Sequence, residues 1–274
     1  MIDRELIRKA LDEDLQGGED VTSVSTISAD SISTADFTSR KSGVLAGIDM
    51  VKAVLQEVGL TDITAVKSDG DAIKAGDVLL TVKGNTRAIL LAERTALNFV
   101  GHLSGIATET AKWVSAVSGT DCKVRDTRKT TPGYRQLEKY AVRMGGGTNH
   151  RMSLSDAALI KDNHIAAAGG VAQAFSAVRN AFPSAPIEIE VDTLNQLREV
   201  LPLKPDLVLL DNMSPAQCKE AVAIVNAATK LEASGGIQLE NAKAYAESGV
   251  DYIAIGALTH SAAVLDIGLD LRAE

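Results

Sequence analysis

Residues 187–212, IEIEVDTLNQLREVLPLKPDLVLLDN, decide the fold class of this chain. The runs Ile187–Val191 and Leu207–Asp211 are short, apolar or alternating, and each ends in acidic or amide side chains. Such runs are typical of buried strands, and residues 194–201 between them are typical of a helix. A strand, a helix and a second strand in this order predict a βαβ unit with parallel strands.

The same pattern recurs along the chain from residue 121 onwards. Six short apolar runs end in polar side chains or glycine, and the last four begin 20–23 residues apart; the runs are 122–126, 157–161, 187–191, 207–211, 230–234 and 252–256. Repeated βα units predict a parallel sheet that closes towards a barrel, with functional residues where the strands end. Because six runs fall short of eight, the pattern fits an incomplete barrel or an open doubly wound sheet. The predicted strand ends carry Asp126, Lys161, Glu190, Asp211, Ser234 and Gly256.

The N-terminal part of the chain has a different pattern. Residues 1–15 and 48–58 predict helices, and the rest of residues 34–84 is strand-like. Residues 86–117 predict a long helix interrupted near Gly101 and Gly105. We therefore expect two domains, one over residues 1–110 and a βα domain over residues 111–274.

Composition and charge exclude several classes of protein. The 274 residues are 45% hydrophobic and 23% charged, which is ordinary for a globular enzyme, and the net charge of −8 argues against general nucleic-acid binding. The first residues, MIDRELIRKALDEDL, carry charges throughout and predict no signal peptide, and no apolar run approaches the ~18 residues of a membrane span. Cys122 and Cys218 lie far apart without metal-ligand spacing. These features predict a protein of the reducing cytoplasm.

One part of the chain is strongly basic. Residues 123–161, which we call the basic segment, contain nine Lys/Arg and three Asp/Glu, a balance of +6 in a chain of −8. It includes RDTRKTTPG at 125–133 and GGGTNHR at 145–151, and its last residue, Lys161, begins KDNH at 161–164. Guanidinium and ammonium groups near strand ends, next to glycines that permit close approach of a ligand, predict a site for a compact, multiply charged anion. A solvated basic loop is the alternative.

Acidic residues and glycine loops follow the later strands. Glu188, Glu190 and Asp192 share one face of a strand because side chains alternate, and we expect one of them to point into the barrel. With Asp211 on the next strand they form a candidate Mg²⁺ site, to be completed by a phosphate substrate; ion pairs with the basic segment are the alternative. The loops SGGI at 234–237 and GALT at 256–259 are expected to present backbone N–H groups to a phosphate.

Motifs along nearly the whole chain resemble those of the quinolinate phosphoribosyltransferase family, also called nicotinate-nucleotide pyrophosphorylase (carboxylating). They occur in the family's order: EDL at 13–15, DVT at 20–22, ERTALN at 93–98, LSGIAT at 103–108, DTRKT at 126–130, NHR at 149–151, KDNH at 161–164, LDN at 210–212, SGG at 234–236 and GALTH at 256–260. Tyr134 and Ser153 depart from the expected Leu and Gly, and neither change removes a charge.

The resemblance implies an α/β fold, with an N-terminal α/β sandwich followed by an incomplete parallel α/β barrel, the type II phosphoribosyltransferase architecture. It implies transfer of a phosphoribosyl group from phosphoribosyl pyrophosphate to quinolinate with decarboxylation. The products would be nicotinate mononucleotide, pyrophosphate and CO₂, in de novo NAD biosynthesis. It further implies Mg²⁺ as the cofactor and a homodimer with shared sites, with no nucleic-acid or membrane partner.

The resemblance also assigns roles by position. Lys129, Glu190 and Asp211 are implied to be catalytic, with Lys129 between the two substrates and the two acids organising Mg²⁺ and the ribose. The quinolinate pocket is implied to contain Arg94, Arg128, His150, Arg151 and Lys161, and Thr127 is implied to bind substrate. The cradle for the 5′-phosphate is implied to consist of Ser234, Gly235, Gly236, Gly256, Ala257 and Leu258. Arg94 is implied to enter the barrel of the partner subunit.

Three other functions are alternatives to this one. A relative of the molybdenum-transport-associated type would use the same fold on another aromatic acid. A Schiff-base aldolase or isomerase would use Lys161 as its nucleophile, but such a lysine requires apolar surroundings, whereas Lys161 lies among arginines. A non-catalytic phosphate-binding module would not need both the acids and the cations.

Overall fold

The computed structural model describes residues 2–272, which divide into two compact units. The first unit contains the residues up to 109 together with 136–146 and those from 261 onwards; the second contains 110–135 and 147–260. The break after residue 109 lies next to the predicted boundary at 110, whereas the two returning segments were not predicted. They belong to the first unit because they pair there: Ala35 lies opposite Leu271 in an antiparallel ladder, and the Tyr140 hydroxyl donates to Asp69 at 2.7 Å.

The first unit is an α/β sandwich built on an antiparallel sheet. Its helices are α1 (Arg4–Leu15), α2 (Val21–Thr26), α3 (Ile48–Glu57), most of α4 (Thr86–Ala116) and most of α5 (Arg135–Met144). Its strands are β1 (Ile32–Ser39), β2 (Gly43–Val44), β3 (Asp62–Ala65), β4 (Ala72–Ile73), β5 (Val78–Asn85) and β12 (Ile267–Leu271). The main sheet has the order β12-β1-β5-β3, and β2 pairs with β4. Ala35 and Phe37 are buried while Asp36 between them is not, so β1 turns one face to the core.

Helix α4 runs without interruption over Thr86–Ala116, so the predicted break near its glycines is wrong. A Cβ added to Gly105 would lie 2.1 Å from the carbonyl oxygen of Ala263, and one added to Gly101 would lie 2.9 Å from Val264 Cγ1. The glycines therefore let the returning chain approach the helix instead of ending it. Neither α4 nor any other helix among residues 2–272 is long and apolar enough to cross a membrane.

The second unit contains all six predicted βα strands in one parallel sheet. The strands are β6 (Lys123–Arg125), β7 (Ala158–Ile160), β8 (Ile187–Val191), β9 (Leu207–Asp211), β10 (Lys230–Ser234) and β11 (Tyr252–Ala254). The helices are α6 (Asp162–Ala168), α7 (Val171–Ala181), α8 (Leu194–Val200), α9 (Pro215–Val225), α10 (Ala242–Glu247) and α11 (Ala257–His260). The strand order β6-β11-β10-β9-β8-β7 joins the first strand of the series to the last. This is the order of a barrel with one open seam, and a doubly wound sheet would reverse direction near its middle.

The strand registers separate an apolar face from a polar one. Ile189 and Leu210 are fully buried on the face that carries the surrounding helices. On the opposite face Leu209 lies between Glu190 of β8 and Glu232 of β10, and Asp211 lies beside Ser234. Because side chains alternate along a strand, the ionisable residues of several strands meet inside the incomplete barrel.

Candidate active site

A cavity of about 700 Å³ lies in the second unit at the carboxyl ends of the strands. Parallel strands end on one side of the sheet, so the polar residues after each strand converge there. The structure brings together most of the residues that the sequence singled out: Thr127, Arg128, Lys129, His150, Arg151, Lys161, Glu190, Asp211, Ser234, Gly235, Gly236, Gly256 and Ala257.

Two predicted site residues are placed elsewhere. Arg94 lies in α4 within the first unit, and its side chain is exposed. Leu258 does not line the cavity, and its side chain is fully buried. The apolar side chain of Leu258 packs in the interior, so only its main chain could contact a phosphate.

Cationic side chains form one wall of the cavity. The Nε atom of Arg128 is buried and has no hydrogen-bond partner among the described residues. Burial and the neighbouring Arg128 guanidinium both lower the pKa of Arg151. Two guanidinium groups that repel one another, with Lys161 in the same wall, would be stabilised by an anion with more than one negative charge.

Some of the basic residues in the basic segment do not line the cavity. Arg135 holds loops in place, donating to Thr130 Oγ1 at 3.0 Å and to the carbonyl of Met152 at 3.1 Å. Lys139 and Arg143 lie in α5 within the first unit. The charge excess in the sequence consequently overstates the charge of the cavity.

Acidic side chains line the same cavity next to Lys161. Lys161 Nζ makes an ion pair with Glu190, which is the pairing that the sequence allowed as an alternative to a metal site. Burial nevertheless raises the pKa of Glu190, and it also raises the pKa of Asp211. The negative charge of Asp211 contributes to the shift at Glu190. Two carboxylates that are disfavoured as neighbouring anions fit a hard divalent cation.

Glycines bring the main chain close to the cavity. Gly235 has a φ of +89°, and a Cβ there would lie 2.2 Å from Asn212 Oδ1. A Cβ on Gly256 would lie 3.0 Å from Cδ of Lys129, whose carbonyl accepts a 2.8 Å hydrogen bond from the Thr259 hydroxyl. Gly256 thus leaves space for the stem of Lys129, which is exposed as a whole residue.

Further ionisable groups lie on the buried side of the cavity, where Glu232 is one of the lining residues. Glu188 and Glu190 both belong to the inward face, so two acids of β8 point inwards where one was expected. Glu188 is joined by Glu232, which the sequence interpretation did not select, and Arg125 donates to Glu232 at 2.6 Å. A carboxylate between apolar Leu231 and Ala233 was the available signal. Asn212, Gln238 and His260 also line the cavity.

Family models match both parts of the chain. The model described as quinolinate phosphoribosyl transferase, N-terminal domain, matches residues 20–104, and the corresponding C-terminal domain model matches residues 106–270. A nicotinate-nucleotide pyrophosphorylase (carboxylating) of Mycobacterium leprae is 53% identical over 98% of this chain and 96% of its own. A probable enzyme of that name from Bacillus subtilis is 41% identical over 94% and 90%.

Solved structures agree with these matches. The nicotinate-nucleotide pyrophosphorylase of Francisella tularensis superposes with a TM-score of 0.95 at 39% identity, covering 99% of this chain and 98% of that one. Fold and cavity together define a phosphoribosyltransferase with an incomplete α/β barrel. The chain belongs to the quinolinate phosphoribosyl transferase family. The activity and the class of pentosyltransferase predicted from the sequence are confirmed with it.

Proposed function

We propose that the cavity of the second unit binds quinolinate and phosphoribosyl pyrophosphate side by side and joins them with loss of CO₂. The observation that carries this proposal is the pairing of a cationic wall with an acidic wall and two glycine loops in one cavity. Nicotinate mononucleotide and pyrophosphate are the other products. The two substrates need different binding groups. Quinolinate needs cationic side chains, and phosphoribosyl pyrophosphate needs a metal ion and backbone N–H donors.

Quinolinate would occupy the wall of Arg128, Arg151 and Lys161, with Thr127 and His150 beside it. Its two carboxylates match two crowded guanidinium groups, and bidentate contacts would fix the ring plane. An anion in this wall would offset the repulsion from Arg128, which after burial is the second cause that lowers the pKa of Arg151. The Schiff-base alternative has no support here, because Lys161 is ion-paired with Glu190 and lies in a polar wall.

Phosphoribosyl pyrophosphate would occupy the other side. The loops at Ser234–Gly236 and Gly256–Ala257 would receive its 5′-phosphate through the main chain. Glu190 and Asp211 would hold Mg²⁺, with substrate oxygens and water completing the shell. When bound, Mg²⁺ would neutralise charge on the departing pyrophosphate. Lys161 would leave Glu190 and pair with a substrate carboxylate, while Glu190 would pair with Mg²⁺. One ion pair would thus be replaced by two.

Transfer begins when the bond between ribose C1 and the pyrophosphate oxygen breaks. The bonding electrons leave with pyrophosphate, and positive charge develops on the sugar. Lys129 would stabilise the leaving group, and the carboxylates of Glu190 and Asp211 would stabilise the sugar. The quinolinate ring nitrogen then forms the new bond to C1, which gives the ring a positive charge.

Decarboxylation follows from that positive charge. The carboxylate on the carbon next to the ring nitrogen leaves as CO₂, and the electron pair of the broken bond stays on that carbon. The adjacent cationic nitrogen stabilises the pair, and a proton from solvent completes the product. Arg128 and Arg151 would hold the second carboxylate throughout, which keeps the ring in place.

We also propose a cytoplasmic homodimer with shared sites. Arg94 is exposed on α4 and would complete the quinolinate pocket of the partner subunit. Larger assemblies of such dimers are compatible with this arrangement. Cys122 and Cys218 are free and buried, and burial raises the pKa of both thiols, as suits a reducing compartment.

The decisive assay measures pyrophosphate release from phosphoribosyl pyrophosphate. We expect release that requires both quinolinate and Mg²⁺, with one CO₂ formed per pyrophosphate. Nicotinate serves as the matched substrate with a single carboxylate. Release without quinolinate, or at an equal rate with nicotinate, would contradict the proposed substrate.

A further inference from the structure

Three ionisable residues around His150, on the buried side of the cavity, have no assigned part in the reaction; they are Arg125, Glu188 and Glu232. We call Arg125, His150, Glu188 and Glu232 the buried cluster. Glu232 is 0% exposed, Glu188 5% and His150 8%. Ionisable side chains this deep are costly unless hydrogen bonds hold them, so their arrangement calls for a functional explanation.

The hydrogen bonds of His150 define its tautomer. Nδ1 accepts the backbone N–H of Arg151 at 2.7 Å, so this nitrogen carries a lone pair and not a proton. The ring proton consequently lies on Nε2, which is 2.9 Å from Glu188 Oε2 and 3.5 Å from Glu232 Oε1. The imidazole thus donates to Glu188 and accepts from the main chain, and Glu232 is the second acid beside Nε2.

The main chain around His150 is held from a second direction. Asp126, which is fully buried, accepts the backbone N–H of His150 at 2.8 Å and also the side-chain amide of Asn149. The next residue is Arg151, whose guanidinium lines the cavity. Contacts therefore run from Glu188 through the His150 ring to the backbone that carries a substrate-binding cation.

We propose that Glu188 and Glu232 are positioning residues of the quinolinate subsite, which hold His150 as its Nε2–H tautomer so that Nδ1 fixes the backbone of Arg151. This inference rests on the function proposed above, because it names what orients one of the substrate-binding cations. His150 serves the subsite as a neutral anchor and adds no positive charge to the wall of Arg128, Arg151 and Lys161.

The charge balance of the buried cluster agrees with this arrangement. Arg125 and one carboxylate cancel, so the second carboxyl group is favoured with a proton. Burial, and next the charge of Glu188, raise the pKa of Glu232 to about 7. Glu232 faces Arg125 of β6, Glu188 of β8 and Tyr252 of β11. It also faces His150, which lies in the loop before β7. Glu232 Oε1 has no hydrogen-bond partner among the described residues, which leaves it available for the proton.

A metal ion is the competing occupant of the buried cluster. His150, Glu188 and Glu232 offer ligand atoms that lie within 4.8 Å of one another. A metal on Nε2 would need the lone pair there and would move the ring proton to Nδ1. That proton would face the backbone N–H of Arg151, so the observed hydrogen bond favours the Nε2–H ring without a metal.

Steady-state kinetics distinguish positioning from general structural support. In Glu188→Ala we expect the KM for quinolinate to rise about tenfold or more, since a buried donor loses its acceptor, while the KM for phosphoribosyl pyrophosphate stays within about twofold. Glu188→Gln and Glu232→Gln each retain an acceptor oxygen. In both variants the quinolinate KM should stay within about threefold of the wild-type value. Glu199→Ala removes an exposed acid of α8 and is the matched control. Equal rises in both KM values, or no rise in either, would overturn the proposal.

The tautomer is tested directly by ¹⁵N NMR of histidine-labelled enzyme, without any requirement for turnover. The chain has four histidines, and His150→Gln identifies the signal. We expect one pyrrole-like Nε2 and one pyridine-like Nδ1 at pH 7.5, unchanged by EDTA. A doubly protonated ring, a proton on Nδ1 or an EDTA-dependent spectrum would refute the arrangement even if the variants fail to fold. A missing quinolinate activity would instead count against the proposed function alone.

The pH dependence of stability gives a further check. The folded pKa of Glu232 lies above its unfolded value of about 4.5, so the protonated carboxyl group is the form that the fold favours. Its contribution to stability is fully present below pH 4.5. The contribution is lost as pH rises through about 7. The Tm of wild type minus that of Glu232→Gln should therefore fall between pH 4.5 and pH 7.5. A flat difference would show that Glu232 holds no proton.

Discussion

Two pairs of acids in the same barrel behave differently because they lie at different depths. We call Glu190 and Asp211 the rim pair, and Glu188 and Glu232 the buried pair. The rim pair faces the cavity, and its partner Lys161 has a side chain that is 45% exposed. The buried pair has His150 and Arg125 as partners, and these side chains are 8% and 17% exposed.

The difference teaches which charges are able to exchange partners. An exposed ammonium on a flexible stem can leave Glu190 for a substrate at small cost, because water solvates both groups during the exchange. Arg125 cannot leave Glu232 without stranding a buried charge. We therefore expect the rim pair to serve the reaction and the buried pair to serve the shape of the site.

Truncation of the buried pair should have the largest effect. In Glu232→Ala we expect the free energy of unfolding to fall by about 3 kcal/mol, because the charged guanidinium of Arg125 loses its buried hydrogen-bond acceptor. Urea denaturation at pH 7 measures the change. The control Glu199→Ala should stay within about 0.5 kcal/mol of wild type. If both variants were equally stable, the distinction by depth would be lost.

Neutralising the rim pair should affect the rate instead of stability. In Asp211→Asn we expect kcat to fall by about 10²–10³, the range for removal of one group that stabilises transition-state charge. The Mg²⁺ concentration for half-maximal rate should rise, and the quinolinate KM should change little. Full activity at low Mg²⁺ would exclude the role assigned to Asp211.

Substrate choice tests the cationic wall that adjoins the rim pair. Nicotinate lacks one carboxylate and would leave a cation of the wall unpaired. Loss of one partner of a buried pair costs roughly 3–5 kcal/mol, so we expect kcat/KM for nicotinate to be lower by more than about a hundredfold. Comparable kcat/KM values for the two acids would mean that the crowding of Arg128 and Arg151 serves another purpose.

The smallest expected effect is a recovery of activity, which tests whether the quinolinate pocket contains a residue of the partner subunit. Inactive Arg94→Ala mixed with inactive Lys161→Ala should regain about a quarter of wild-type activity, as expected for a symmetric dimer with independent sites. Half of the dimers are mixed, and each has one site free of both substitutions. Differently tagged chains verify subunit exchange. No recovery despite exchange would place Arg94 in the site of its own chain.

Several features of the site were predictable from local patterns. Six apolar runs with polar ends predicted the six strands of the barrel, because strand periodicity and loop chemistry are local properties. The same patterns located Arg128, Lys161 and Asp211 at strand ends. The excess of positive charge was visible, but its division between the cavity and α5 was not, since it depends on where the chain folds back.

The sequence by itself determined the strands, the face on which Glu188 and Glu190 lie, and the motifs of the family. Only the tertiary structure decided depth. Glu190 and Glu232 lie opposite the same residue, Leu209, yet Glu190 reaches the rim and Glu232 is fully buried. Strands tilt as a sheet curves into a barrel, so residues in one register row reach different heights. Alternation along a strand fixes the direction of a side chain, whereas height within the barrel is set by strands far apart in the sequence.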